Sequence, residues 1–309
     1  MTEEVKIIRM SNSSFAQISQ CEMQYSHRKI FKSEVDSDAD TNQKHFRIGS
    51  CFHEILEHCL HIMPNSTPDA IYASFEQHSI DDPKDRGLII AMCNKYYALH
   101  AKSNLTVIGC EDEVGDERTL GYIDAIMKDP DGYWYIVDLK TAKRFNTNLL
   151  ARLKRDSQLN LYAYFRKQIA DKYGLSMEQF DGVLYRVTEK VERVMRADED
   201  EWEYAERIEP KVNSFSIHIP ADELDPMGAY QAVITAQERA MEIRDKGAEP
   251  KQNFGACFNY FRPCDYFSKC YGYLNSEAHE HFRVLNDKNM SYSRKPEAIK
   301  LERELKELV

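Results

Sequence analysis

Apolar and polar positions follow a helical rhythm in the first third of this chain and a two-residue rhythm after it. Over residues 11–31 a Ser11-Asn12-Ser13-Ser14 start is followed by Phe15, Ile18 and Met23 as inward candidates. Residues 33–42 are polar and acidic and read as a loop. Residues 46–62 return to helical spacing, with Phe52, Ile55, Leu56 and Cys59 on one face, and a further helix covers about 83–101. The period then drops to two. Residues 107–114 and 120–128 read as strands, and the turn Asp129-Pro130-Asp131-Gly132 leads into a third strand over 133–139, rich in aromatic and β-branched residues. A long helix is predicted over 149–172, strands over 183–187 and 215–219, and a helix over 221–246 starting near Asp222 or Glu223. Residues 255–272 show no clear period, and the tail after Pro296 is charged and helical. This order predicts an α/β fold, a central mixed β-sheet flanked by helices, with no boundary for a second core. One domain over residues 1–274 and a charged helical tail over 275–309 follow.

Composition excludes two classes. An apolar fraction of 42%, with 14 Phe and 18 Tyr, is too high for a disordered chain. No apolar run nears the roughly 20 residues of a membrane helix, and the first ten residues mix charge with aliphatics, unlike a signal peptide. A cytoplasmic protein is expected. The net charge of −10 disfavours a nucleic-acid partner, but its distribution does not. Lys140, Lys143, Arg144, Arg152, Lys154, Arg155, Arg166 and Lys167 face only Asp156, a local charge of +7. Screening acts over only about 8 Å at physiological salt, so such a strip can track phosphates on an acidic body. A solvated helix face accounts for the same charges.

Within the strand region, Asp124 lies in Gly121-Tyr122-Ile123-Asp124, and Asp138 and Lys140 lie in Val137-Asp138-Leu139-Lys140-Thr141. Alternation puts Asp138 and Lys140 on one face and Val137 and Leu139 on the other. The tight turn makes the two strands antiparallel neighbours, so the aspartates can meet. Two such carboxylates repel unless a cation sits between them, and hard oxygen ligands suit Mg²⁺ or Mn²⁺. A lysine beside them suits an anionic substrate. The alternative is a surface salt-bridge cluster: an acid, any residue, then Lys recurs at Glu4/Lys6, Asp82/Lys84, Glu209/Lys211, Glu249/Lys251 and Glu304/Lys306. None of those follows a second Asp-bearing strand through a tight turn. Gln158 and Tyr162, four apart, share a helix face that can reach the acidic end. His53 is a core or boundary histidine in isolation and a further metal ligand beside the hairpin.

The ordered set Gly49-Ser50-Cys51-Phe52-His53, Gly121-Tyr122-Ile123-Asp124, Val137-Asp138-Leu139-Lys140-Thr141 and Gln158-Leu159-Asn160-Leu161-Tyr162 resembles the RecB-like branch of the PD-(D/E)XK nuclease superfamily. The resemblance covers about residues 11–272. It implies a restriction-endonuclease-like core, with His53, Asp124, Asp138 and the Leu139 carbonyl as metal ligands. It implies Lys140 as the catalytic lysine, and Gln158 and Tyr162 as DNA contacts. Glu111 is a further acidic neighbour.

Eight cysteines are present. Cys51, Cys59, Cys93 and Cys110 sit in helix- or strand-like runs and read as small buried hydrophobes. Cys257, Cys264 and Cys270 cluster, and Cys21 is the candidate fourth thiol, a set that suggests a soft metal. The one-plus-three arrangement resembles the iron–sulfur RecB-like nucleases, including the AddB subunit, CRISPR-associated and phage-encoded exonucleases. It implies a [4Fe–4S] staple joining the N- and C-terminal segments. Cys257 and Cys264 stand wider apart than the short C-x2-C of AddB, with Phe261 where a nearer thiol falls; zinc and unligated cysteines are the alternatives. No G-x-x-x-x-G-K-[ST] motif occurs, so a stand-alone, phage-type enzyme is expected. The functional expectation is Mg²⁺- or Mn²⁺-dependent hydrolysis of DNA at ends or in single strands. The rivals are a non-catalytic DNA-end-binding module, a zinc-stapled interaction protein and an RNA nuclease.

Overall fold

The structure, a computed structural model, describes residues 7–33, 40–58, 68–143, 152–191, 193–259 and 262–271. The predicted tail over 275–309, most of the acidic loop, Cys59 and Arg144 lie outside the described residues. The chain divides into two compact units, Met1–Asn12 with Ala39–Gln237, and Ser13–Asp38 with Glu238–Val309.

The larger unit holds a mixed sheet: β1 (Met10–Ser11), β2 (Thr106–Gly115), β3 (Thr119–Lys128), β4 (Trp134–Ala142), β5 (Phe180–Glu189) and β6 (Ser214–Pro220). β2, β3 and β4 form the expected antiparallel meander, and β6 pairs antiparallel with β5. β4 and β5 run parallel, which requires a crossover. Val137 and Leu139 on β4, with Ala125 and Met127 on β3, form one core with α3 (Asp40–Ile55), α5 (Pro83–His100) and α8 (Glu201–Ile208). In α5 every residue from Leu88 to Cys93 is buried, as expected of a helix apolar on all sides. Gly87 permits this: a Cβ there would lie 2.6 Å from the Glu201 carbonyl oxygen. α4 (Pro68–Gln77) completes the helices on this side.

The segment read as one helix over 149–172 is interrupted twice. Asp156 is extended (φ −67°, ψ 123°), and its carboxylate accepts from the Gln158 and Leu159 amides, capping α6 (Ser157–Tyr164). A break at Phe165 starts α7 (Arg166–Tyr173). The helix expected near Asp222 begins later, as α9 (Pro226–Lys246), because residues 221–223 form a 3-10 turn first. The helix expected over 46–62 starts earlier, at Asp40, and its α-geometry ends at Ile55.

The β2–β3 hairpin is pinned at Asp116. Its carboxylate accepts from the Arg118 and Thr119 amides (2.9 and 2.8 Å), the Thr119 hydroxyl (3.1 Å) and the Tyr230 hydroxyl (2.7 Å). Burial pushes its pKa up, but these donors win and hold it below the ordinary 3.8. A depressed folded-state pKa contributes stability above the unfolded value that is lost as pH falls through the folded one. Asp116→Ala is therefore expected to lower stability by about 2 kcal/mol at neutral pH. Its deficit should shrink below pH 3.8, which thermal melts of both chains from pH 7 down to about 2 will read.

The smaller unit contains α1 (Asn12–Gln20, from Ser13), α2 (Glu22–Tyr25), the end of α9, the two-stranded β7 (Phe258–Asn259) and β8 (Arg262–Pro263), and α10 (Phe267–Tyr271). The helix expected over 11–31 is broken at Cys21, which is extended (φ −162°, ψ 114°). The Glu22 carboxylate explains the break. It accepts from Arg239 (2.8 Å) and from the Lys251 amide (2.9 Å), tying segments 229 residues apart in sequence. The Asn253 side chain adds a bond to the Gln20 carbonyl at 2.7 Å.

Candidate active site

Both Leu120 and Ala125 pair with β2 across one edge of β3, so β1 and β4, which also pair with them, share the other edge. β1 takes Thr119 and Leu120 there, and β4 takes Ala125 to Lys128. Among the described residues, 121–124 have no strand partner on that edge. Asp124 stands at the point where β4 leaves β3, one step beyond the Ala125–Val137 pair. Its carboxylate, rather than a β3 carbonyl, receives the Leu139 N–H, at 2.5 Å. The α3–α5 core takes Ala125, Val137 and Leu139, so Asp138 stands on the other sheet face, while Asp124, just beyond the last β3–β4 pair, reaches His53 of α3.

Asp138 is completely buried. One oxygen accepts from the Lys140 ammonium at 2.8 Å; the other has no hydrogen-bond partner. Burial is the main reason its pKa rises to about 7, and the Asp124 charge adds to it, while Lys140 opposes both. Asp124 moves the other way: burial would raise it, but His53, whose Nδ1 is 3.5 Å from Oδ1, together with Lys140 and the Leu139 amide, lowers it. Lys140 is pulled down by burial and pushed up more strongly by Asp138 and Asp124, so it keeps its proton. The three side chains thus form one electrostatic unit. A buried carboxylate with an unused oxygen beside a second carboxylate is a donor set for a hard cation, so the residues fit a divalent metal. Among the described residues no group of three or more His, Cys, Asp or Glu is arranged to hold a metal ion.

Gly121 lets α6 approach this gap, since a Cβ there would lie 2.7 Å from the Tyr162 ring. Gln158 Nε2 donates to the Tyr162 hydroxyl at 2.7 Å. Burial first, then Asp138 and Asp124, hold the Tyr162 phenol neutral.

From the other side, Asp124 and His53 open into a cleft of about 880 Å³. Glu57 and Glu111 line it too. Burial, Asp124 and Glu57 raise the Glu111 pKa to about 7. Glu111 also has φ +47° inside a strand, a conformation rare for non-glycine residues. The sequence reading missed Glu57, although it follows His53 by one helical turn, and missed Lys190, whose ammonium lines the same cleft.

The basic strip is less continuous than its sequence suggests. Lys154 pairs with Glu223 (2.7 Å), Arg155 with Asp225 (3.9 Å) and Lys167 with Asp171 (2.7 Å). Arg152 is exposed, and Lys143 follows β4.

In the smaller unit, Cys21, Cys257, Cys264 and Cys270 line one small cavity, with Gln24, Gln252, Ala256 and Phe267. None of the four is in a disulfide. Burial, followed by the other three thiols, raises Cys270 to about 11. Four thiols are the donor type of a soft-metal site, although, like the other described residues, they are not arranged as a formed metal-ligand group.

No helix among the described residues is long and apolar enough to cross a membrane. No curated protein matches the sequence. Among solved structures, a protein of Eubacterium rectale named as a putative exonuclease is similar at 14% identity and a TM-score of 0.42, over 79% of this chain and 84% of that one. The family model of the PD-(D/E)XK nuclease superfamily, whose nucleases use divalent metals, matches residues 9–270, spanning the hairpin, α6 and all four clustered cysteines. The chain belongs to the PD-(D/E)XK nuclease superfamily.

Proposed function

We propose that this chain is a Mg²⁺- or Mn²⁺-dependent deoxyribonuclease acting on DNA ends or single strands. The observation that carries the reading is Asp138: a wholly buried carboxylate with one oxygen on Lys140 and the other unpartnered, beside Asp124. Asp124, Asp138, His53 and the Leu139 carbonyl would hold the metal. When bound, a divalent cation supplies positive charge and a more acidic water. Lys140, which keeps its proton, would orient an attacking water and offset charge building on the phosphate. Because Gln158 donates to the Tyr162 oxygen, the phenolic proton is left to donate to a phosphate oxygen. Lys143, Arg144, Arg152, Lys154 and Arg155 then take outlying phosphates, with Lys154 and Arg155 exchanging their carboxylate partners for DNA.

The cysteine cavity is read as the seat of a [4Fe–4S] staple. The second reading is a single zinc ion on the same four thiols. Iron, sulfide and zinc analysis of anaerobically purified protein separates the two.

End-labelled single- and double-stranded DNA tests the enzyme reading. Digestion is expected with Mg²⁺ or Mn²⁺ and not with EDTA. Lys140→Met should slow it about a hundredfold or more, with DNA binding retained. Digestion in EDTA, or an undiminished rate in the variant, refutes the assignment.

A further inference from the structure

The cleft that reaches Asp124 has a second end whose chemistry the catalytic reading does not use. Its lining runs along α3 from His45 and Phe46, through Gly49 and Ser50, to His53, and past the helix end to Glu57. Carboxylates crowd the His53 end. At the other end Lys190, just past β5, donates from its ammonium to the His45 carbonyl at 2.9 Å. A Cβ on Gly49 would lie 3.8 Å from that ammonium and 3.3 Å from the Thr141 hydroxyl, so helix, strand and lysine meet closely here. The ammonium has no carboxylate partner among the described residues. Burial alone acts on its pKa and lowers it. A half-buried cation whose one bond is to a neutral carbonyl, facing a cleft, is electrostatically incomplete without an anion. Next to its bonding partner, Phe46 is 75% exposed.

We propose that Lys190 and Phe46 form a single-strand nucleotide subsite, the ammonium holding a backbone phosphate and the ring stacking on the attached base. The proposal rests on the nuclease reading for its polymer and adds the strandedness of the substrate. Phe46 and His53 are seven residues apart on α3, about 10 Å along its axis. The subsite therefore holds a nucleotide beside the reacting one. A free base face is needed for stacking on Phe46. Bases inside a duplex are already stacked on each other, so the subsite selects unpaired strands. Lys190 supplies affinity without sequence preference, as a phosphate contact does.

The test uses the full chain, a fluorescein-labelled oligothymidylate, and a blunt duplex of equal length. Binding is followed by anisotropy in Ca²⁺ over a salt series, with cleavage in Mg²⁺ measured separately. Phe46→Ala and Lys190→Gln are each expected to weaken single-strand binding about tenfold. Duplex binding should change less than about twofold in Phe46→Ala, where stacking is not available. Lys190→Gln should also lower the salt slope by about 0.7, which Phe46→Ala leaves alone. Phe46→Trp and Lys190→Arg should retain parental affinity, which separates binding from misfolding. Parental single-strand affinity in either truncated variant overturns the subsite, as does an equal loss on strand and duplex in Phe46→Ala. A parent chain that shows the expected binding pattern without cleavage overturns the nuclease reading and leaves the subsite standing.

Discussion

Asp138→Asn is expected to reduce cleavage about a thousandfold or more, while the metal-free chain melts no lower than the parent. The two effects share one cause. Asp138 lies at 0% exposure with an oxygen that bonds to nothing, and its pKa stands near 7 because burial and the Asp124 charge disfavour ionisation. Lys140 offsets only part of this. The amide removes the buried charge and the repulsion with Asp124, and Lys140, whose side chain is 36% exposed, can turn to water for its lost partner. A net gain of about 1 kcal/mol corresponds to roughly 2–4 °C in a unit of this size. Added Mg²⁺ should stabilise the parent and not the variant, since only a ligand that binds the folded state raises its melting temperature. A melting temperature more than about 5 °C lower in the variant identifies Asp138–Lys140 as a structural ion pair.

If the cysteine cavity holds the proposed metal group, Cys264→Ser is expected to strip the smaller unit of it. Serine is nearly the same size, so packing is preserved and the change falls on ligation. The thiol shares its cavity with Cys21, Cys257 and Cys270, and the group they hold would join the chain's ends, as the Glu22–Arg239 and Glu22–Lys251 contacts do. Thiolate-bound structural metals contribute on the order of 10 kcal/mol at neutral pH, more than that hydrogen-bonded clasp supplies at about 1.5–3 kcal/mol per charged bond. Loss of bound metal, and of any brown colour, should accompany rapid proteolysis around residues 21–31 and 250–271. A variant that keeps its metal and resists protease as the parent does removes Cys264 from the ligand set.

The hairpin was legible in the sequence because two signals agree there, a period of two and a Pro-Gly turn, and the period puts Asp138 on the face opposite Val137 and Leu139. The gap on β3 was not, because it is made by a side chain: Asp124 takes the Leu139 amide, and no hydrophobic pattern records that. Helix interruptions at Cys21 and Asp156 were missed for a related reason. Their neighbours keep helical spacing, and the break is set by contacts: at Cys21 those of Glu22 to residues more than 200 positions away, and at Asp156 a local cap that Asp156-Ser157 advertises. α8 also carried a readable start, the Asp200/Glu203 capping box. The basic strip is continuous along the chain but not in space, because Glu223 and Asp225 reach Lys154 and Arg155 from about 70 residues away. Phe46 and Lys190 belong to no local motif, and only the fold brings them to one cleft.

Direct titration with Mn²⁺, read by electron paramagnetic resonance of the free ion, tests the central claim without relying on turnover. The parent chain should take up Mn²⁺ saturably, and Asp138→Asn should leave the ion free at the same concentrations. Equal uptake by the two chains would mean that this carboxylate holds no metal, and the account of the site would fail.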